Sequence, residues 1–257
     1  MEIISPAQIV KKNLLVVQDY SHLAGRSIAN LFRRPLYLAD MLQQADLIGV
    51  GSLPVVILTG TFTGVVLALN TSESLGRFGA LSLTGQLVSV SMVRELGPVL
   101  TSLMVAGRNA SGMASELGSM KVTEQIDAMR ALGTDPFKKL VTPRVASTVF
   151  MMFFLTIISD LVGLVGGYLI SFFMLRLDTN QYWNSAYQAL TYNDVVTGLL
   201  KPLFFGFIIS TIGCFYGMNT RGGTQGVGRS TTQAVVASSV LILATDTVLT
   251  KFLLSFK

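Results

Sequence analysis

Few residues of this 257-residue chain can do chemistry, and their spacing argues against catalysis. Cys214 is the only cysteine and His22 the only histidine. That excludes an internal disulfide, a cysteine metal cluster and a paired-histidine zinc site. No Gly-Lys dipeptide occurs, so the chain holds no G-x-x-x-x-G-K-[ST] phosphate loop. The run Gly222, Gly223, Gly226, Gly228 and Arg229 lacks the lysine and the preceding strand, and reads as a flexible turn. What remains is a handful of ionisable residues inside apolar stretches: Arg94, Glu95, Asp160, Lys201 and Asp246. In a membrane each costs a few kcal/mol unless it meets water, a partner or a neighbouring helix. Arg94 and Glu95 are helix neighbours about 100° apart, so they do not pair with each other. Two readings stay open for them. One is ion pairing across helices or between copies of the chain; the other is contact with a lipid phosphate by Arg94 and gating by Glu95. For Asp160 and Asp246 the expectation is a helix cap or a bond to a hydroxyl such as Thr156 or Thr250. Lys201 is expected to snorkel toward the nearer end of its span.

The elements that position these residues follow from composition. Charged residues make up 13% and hydrophobic residues 51%, and the mean hydropathy is +0.59. A soluble domain carries about 25% charged residues, so this composition excludes a cytosolic enzyme, a disordered chain and a nucleic-acid binder. The net charge of +5 fits loop sorting across a bilayer better than the grip of a polyanion. A membrane-crossing helix needs roughly 20 apolar residues. Segments 47–69, 87–107, 145–175, 195–218 and 234–256 qualify, the second only with Arg94 and Glu95 embedded. Lysines and arginines before span one, between spans two and three, and between spans four and five number 13, against 4 on the other side. This bias puts the N-terminus and segment 108–144 in the cytoplasm and the C-terminus outside.

The first residues lack a signal-peptide pattern. From 10 to 31, Val10, Leu14, Val17, Ala24, Ile28 and Leu31 recur at helical spacing, and Arg33, Arg34 and Pro35 close the stretch. The expectation is an amphipathic helix on the membrane surface, carrying His22 at its surface; the alternative is a helix packed on another subunit. Gly60/Gly64 and Gly163/Gly167 are small-xxx-small pairs that let helices approach. Pro54, Pro98 and Pro202 predict kinks. Segment 116–132 is too polar to span but reads as helical. Val122, Ile126 and Met129 share a face, Glu124 and Asp127 precede Arg130 as the helix dipole favours, and Gly133 and Pro136 end the segment. Such a helix packs on its own bundle or docks into a groove on a cytoplasmic partner.

Residues Arg94-Glu95-Leu96-Gly97-Pro98-Val99, Ala106-Gly107-Arg108, Glu116-Leu117-Gly118-Ser119-Met120, Thr123-Glu124-Gln125-Ile126-Asp127-Ala128-Met129, Asp135-Pro136 and Pro143-Arg144 form an ordered series. This series resembles the motif of the MlaE family of ABC transporter permeases. The resemblance implies an all-α membrane protein with one permease domain over 1–257, divided into an amphipathic N-terminal segment at 1–45 and a five-span bundle at 46–257. It implies a bacterial inner-membrane homodimer whose protomers each bind a cytoplasmic ABC ATPase. A coupling helix, here Thr123, Glu124, Gln125, Ile126, Asp127, Met129 and Arg130, would carry that contact. It further implies an outward MCE-domain protein, sometimes a STAS-domain protein, and phospholipid movement between the inner membrane and the outer envelope. A lipid cavity between protomers would lie near Leu75 and Phe78, with Arg94 and Glu95 as further cavity residues. No cofactor or metal is expected in this chain; ATP and magnesium belong to the partner ATPase. Two rival functions remain at this stage: a proton-coupled secondary transporter using Glu95, Asp160 and Asp246, and a scaffold that transports nothing.

Overall fold

The computed structural model describes residues 6–33 and 37–255. All regular elements among them are helical. Helix α1 covers Pro6–Leu31 and α2 covers Leu38–Gly76. A short 3-10 turn at Leu81–Leu83 leads into α3 at Thr84–Ser91. Two π-helical segments, Met92–Leu96 and Ala106–Ala110, flank α4 at Gly97–Val105, and α5 continues over Ser111–Val122. Then come α6 at Gln125–Ala131, a π segment at Phe137–Val141, α7 at Thr142–Phe173, α8 at Thr179–Ala189, α9 at Tyr192–Met218 and α10 at Gly223–Leu254. Five of the resulting helical units are long and apolar enough to cross a membrane.

The expected spans are all present and run longer than their apolar cores, because helices continue past the bilayer wherever polar residues keep helical spacing. The second runs from Leu81 to Val122 without a break. Its π turns absorb what would otherwise interrupt it. Pro98 has no N–H to donate, and the turn before it widens so that the Gly97 N–H reaches the Met92 carbonyl.

Helices α2 and α7 form the most extensive pair. Besides Gly49, the buried positions of α2 are Ile48, Ser52, Val56, Gly60, Gly64, Ala68 and Ser72, one every fourth residue. That period exceeds 3.6, so the seam drifts around the helix in the sense that gives a right-handed close crossing. A side-chain carbon on Gly60 would lie 2.8 Å from the Ser159 carbonyl, and one on Gly64 would overlap the Gly163 backbone. Neither obstacle is a flexible side chain. Gly64→Leu should therefore separate α2 from α7, destabilising the fold by about 2–4 kcal/mol. Thermal unfolding in detergent should show a large drop.

Helix α1 forms as the spacing predicts, and one side of it packs on the chain's own bundle. Its Tyr20, Leu23, Ser27 and Asn30 side face the bundle. Tyr20 stacks edge-on against Phe215 and its hydroxyl lies 2.9 Å from Thr211 Oγ1. Arg26 sits over the Phe137 ring. The opposite side, with Leu14, Val17, Ile28 and Leu31, is exposed, as a membrane-surface helix requires. Arg34 and Pro35, expected to close this helix, lie outside the described residues.

Segment 176–194, between the third and fourth spans, contains α8. Tyr182 and Ala186, four residues apart, are buried against α3, and Ser89 Oγ donates to the Ala186 carbonyl at 3.0 Å. The Tyr182 hydroxyl donates to the Leu164 carbonyl at 3.1 Å. The i, i+4 pair was visible in the sequence, but only packing against α3 makes so short a polar helix stable.

Candidate functional site

Four of the five ionisable residues singled out in the spans are paired across helices; Asp160 stands apart. Arg94 and Glu95 sit on the π turn Met92–Leu96, where the widened backbone still points neighbours in different directions. Both meet α9. Arg94 Nε lies 3.6 Å from Asp194 Oδ1, and Glu95 pairs with Lys201, seven residues further along α9 and so on the same face. Lys201 Nζ also lies 2.9 Å from Asp246 Oδ1 and donates to Thr250 Oγ1 at 2.8 Å, both on α10. Thr250 in turn reaches the Glu95 carboxylate at 3.4 Å. One ammonium thus holds carboxylates from two helices, and three spans meet at it.

Two expectations are corrected here. Lys201 does not snorkel: its exposure is 0%. Its Nζ donates to Glu95 and to Thr250 Oγ1 and has the Asp246 carboxylate 2.9 Å away as a counter-charge, which removes any gain from reaching water. Asp246 takes Lys201 rather than a hydroxyl, and Thr250 bonds Glu95 and Lys201. Asp160 also lacks the expected hydroxyl partner. Thr156 donates to the Met152 carbonyl, and Asp160 Oδ1 lies against Gly97 with no hydrogen bond among the described residues. No hydrogen bond joins Asp160 to Glu95 or Asp246, so the three acids proposed for a proton relay are not continuous. Ion pairing across helices is the reading of Arg94 and Glu95 that this geometry supports.

Asp194 was not singled out from the sequence. Its Oδ2 accepts from Thr191 Oγ1 at 2.6 Å and from the Thr191 backbone N–H at 3.2 Å, closing a capping box at the start of α9. The Thr-x-x-Asp spacing that signals this was readable. The pairing with Arg94 was not.

Beside this cluster runs an apolar groove of about 380 Å³, lined by Leu58, Thr59, Phe62, Val66 and Asn70 of α2 and by Leu96. Leu96 adjoins Glu95 in the chain, so the groove and the ion network share the π turn. Leu75 is half-buried near the end of α2, and Phe78, in the following turn, is 83% exposed; neither lines the groove.

The far end of the bundle holds segment 123–132. It is not one helix from residue 116: α5 ends at Val122, and Glu124 adopts a left-handed φ of 60°. The chain turns there, and α6 starts at Gln125. Val122 therefore belongs to another helix than Ile126 and Met129. Ile126 is fully buried, in a cluster with Leu117, Val141, Phe215 and Met218. Met129 is half-buried, whereas Thr123, Glu124, Gln125, Asp127 and Arg130 are exposed. Asp127 bonds Lys121 Nζ at 2.7 Å and Arg130 at 3.0 Å. The Lys121 hydrogen bond, helped by Arg130, holds the Asp127 carboxyl below its ordinary value. Its contribution is therefore present at neutral pH and is lost only as pH falls through that lowered value. Arg130 also lines a cavity of about 240 Å³ with Asp19 and the exposed His22 of α1.

The profile of the permease MlaE family matches residues 41–252. The chain belongs to the MlaE permease family. A probable ABC transporter permease protein of Rickettsia typhi is 45% identical over 88% of this permease and 88% of its own length. A similarly named protein of Synechocystis is 38% identical, covering 87% of this chain and 85% of its own. The Arabidopsis thaliana chloroplast protein Trigalactosyldiacylglycerol 1 is 38% identical over 96% of this permease and 70% of its own length. The permease is thus a multi-pass membrane subunit of an ABC transporter.

Proposed function

We infer that this permease moves phospholipid between the inner membrane and the outer envelope of a bacterium, as a homodimer driven by a separate cytoplasmic ABC ATPase. The observation that carries the reading is the pairing of an apolar groove with an ion network at one end of the bundle. The groove suits an acyl chain, and acids already committed to Lys201 do not form an ion path. The name of the Arabidopsis relative, which contains a diacylglycerol, supports a lipid substrate.

The N-terminus is cytoplasmic and the C-terminus periplasmic, following the lysine and arginine bias. Thr123, Glu124, Gln125, Asp127, Met129 and Arg130 form the ATPase contact, with Ile126 as the buried anchor that ties it to the bundle. Lys201 and Met218 bound the stretch of α9 between network and contact, 17 residues or about 26 Å of rigid helix. Motion at α6 reaches the groove through that rod. Leu75, Phe78, Arg94 and Glu95 border the outward cavity, and an MCE-domain protein receives lipid there; a STAS-domain protein on the ATPase completes some assemblies.

The deciding experiment pairs the permease with an ATPase that binds ATP but cannot hydrolyse it. Lipid transfer should stop; continued transfer would mean a scaffold or a secondary transporter. Phe78→Asp tests the cavity. Because Phe78 is exposed, the fold should be unaffected, while lipid photocrosslinking and transfer should fall about tenfold. Unchanged crosslinking would remove Phe78 from the path.

A further inference from the structure

A second cavity lies at the opposite end of α2 from the outer turn. It has a volume of about 220 Å³ and opens between α2 and the second span. Gln44, Leu47 and Ile48 form one wall; Arg108, Asn109, Gly112, Met113 and Glu116 form the other. The two walls differ in a useful way. Leu47, Ile48 and Met113 make part of the lining apolar. The second span supplies a guanidinium at Arg108 and, two turns further on, a carboxylate at Glu116.

Each charge is held by the protein and keeps capacity to spare. Arg108 donates to the Gly51 carbonyl, which uses one of its five N–H donors. Glu116 Oε2 accepts from Arg144 Nη2 at 2.8 Å, and Arg144 is itself buried and anchored on the Leu140 carbonyl at 2.9 Å. Asn109 Nδ2 lies 3.3 Å from Ser52 Oγ, which ties the π turn to α2 beside the cavity. Ligand pockets for whole drug-sized molecules run roughly 300–1,000 Å³. This cavity is smaller, and suits a compact polar group whose greasy remainder stays outside.

The chemistry is that of a zwitterion: a phosphate ester for Arg108 and an amine for Glu116. The position favours a lipid as its source. Leu47 and Gly107 end the apolar cores of spans one and two on this side, so the cavity sits at headgroup depth, with an exposed leucine at its rim. We propose that this cavity binds the phosphoethanolamine headgroup of a phospholipid in the cytoplasmic leaflet, with Arg108 on the phosphate and Glu116 on the ammonium. The proposal rests on the phospholipid reading above and adds a loading site to it, at the opposite end of α2 from the groove. Glu116 and Arg144 join the ends of spans two and three that flank α6, so an occupied site would adjoin the ATPase contact.

The test uses the full permease–ATPase complex with a photoreactive residue at the rim, Leu47→p-benzoylphenylalanine. Vesicles of phosphatidylglycerol alone are compared with vesicles containing equal parts of phosphatidylglycerol and phosphatidylethanolamine. The expected result is crosslinking to phosphatidylethanolamine that falls at least about tenfold in Arg108→Gln and in Glu116→Gln, the loss expected for a charge-assisted bond. Gln44→Trp, which fills the cavity from the α2 side without touching either charge, should give the same loss and guards against misfolding of the charge variants. Equal labelling of both lipids, or labelling that survives all three substitutions, overturns the proposal. So does labelling that dissolved phosphoethanolamine competes away at low concentration, because the ligand is then the free ester. Failure of the wild-type complex to transfer lipid at all would instead strike the functional reading on which the proposal rests.

Discussion

Lys201→Met should be the most damaging single substitution in the half of the permease that holds the ion network. It leaves Glu95 and Asp246 facing one site from two helices with no cation between them. Breaking a buried pair in this way costs about 3–5 kcal/mol, because the remaining charges are left uncompensated. Here two carboxylates are stranded, but Glu95 is over a third exposed and recovers some hydration, so the lower part of that range applies. The variant should unfold at lower temperature, and lipid transfer should be lost. Lys201→Met combined with Glu95→Gln and Asp246→Asn removes the stranded charges. Stability should then largely return, since replacing a whole buried ionic group is often neutral. Transfer should not return if the network is the catch that holds spans two, four and five closed until α9 moves. Thermal unfolding and lipid transfer, measured on the same nanodisc samples, separate the two effects. A stable, fully active triple variant would reduce the network to a packing device.

Leu132→Glu should have the next largest effect, on binding and not on folding. Leu132 closes α6 and is 84% exposed, an unusual place for a large apolar residue in a polar turn. Exposed anchors of this kind carry much of an interface's energy, and replacing one with a charge costs about 2 kcal/mol or more, or roughly 30-fold in affinity. The ATPase should no longer co-purify, while the variant inserts and unfolds as wild type. Met129→Glu should act in the same direction with some loss of stability, because Met129 is half-buried. Ile126→Asp is the contrast: it puts a charge into a closed cluster and should cost the fold itself. ATPase retained by Leu132→Glu would move the contact elsewhere.

Both predictions concern residues whose roles were differently legible. Ile126 and Met129 were readable as one face of a short helix from their spacing. The backbone reversal at Glu124 was not, because a left-handed glutamate has no sequence signature and is held there only by its surroundings. The Glu95 motif was readable as well. Its partner was misread, since a lysine a few residues inside a span looks the same whether it rises to the surface or meets an acid from another helix. Helix α8 was overlooked for a related reason: an eleven-residue polar stretch has no stability of its own to announce.

Composition and period alone pointed to a membrane protein with five crossing helices and an amphipathic helix before them, and the sequence holds no G-x-x-x-x-G-K-[ST] phosphate loop. These are properties of single helices, fixed by local spacing and by the cost of leaving polar groups in hydrocarbon. Tertiary structure alone decided which charges meet. Arg94 found Asp194, and Glu95 and Asp246 found Lys201, across separations of 100, 106 and 45 residues that no local pattern encodes. It also decided how closely α2 approaches α7, and hence where a groove remains. The physical reason is that a buried charge is stabilised by a partner at hydrogen-bond distance, and that distance exists only after the helices have packed.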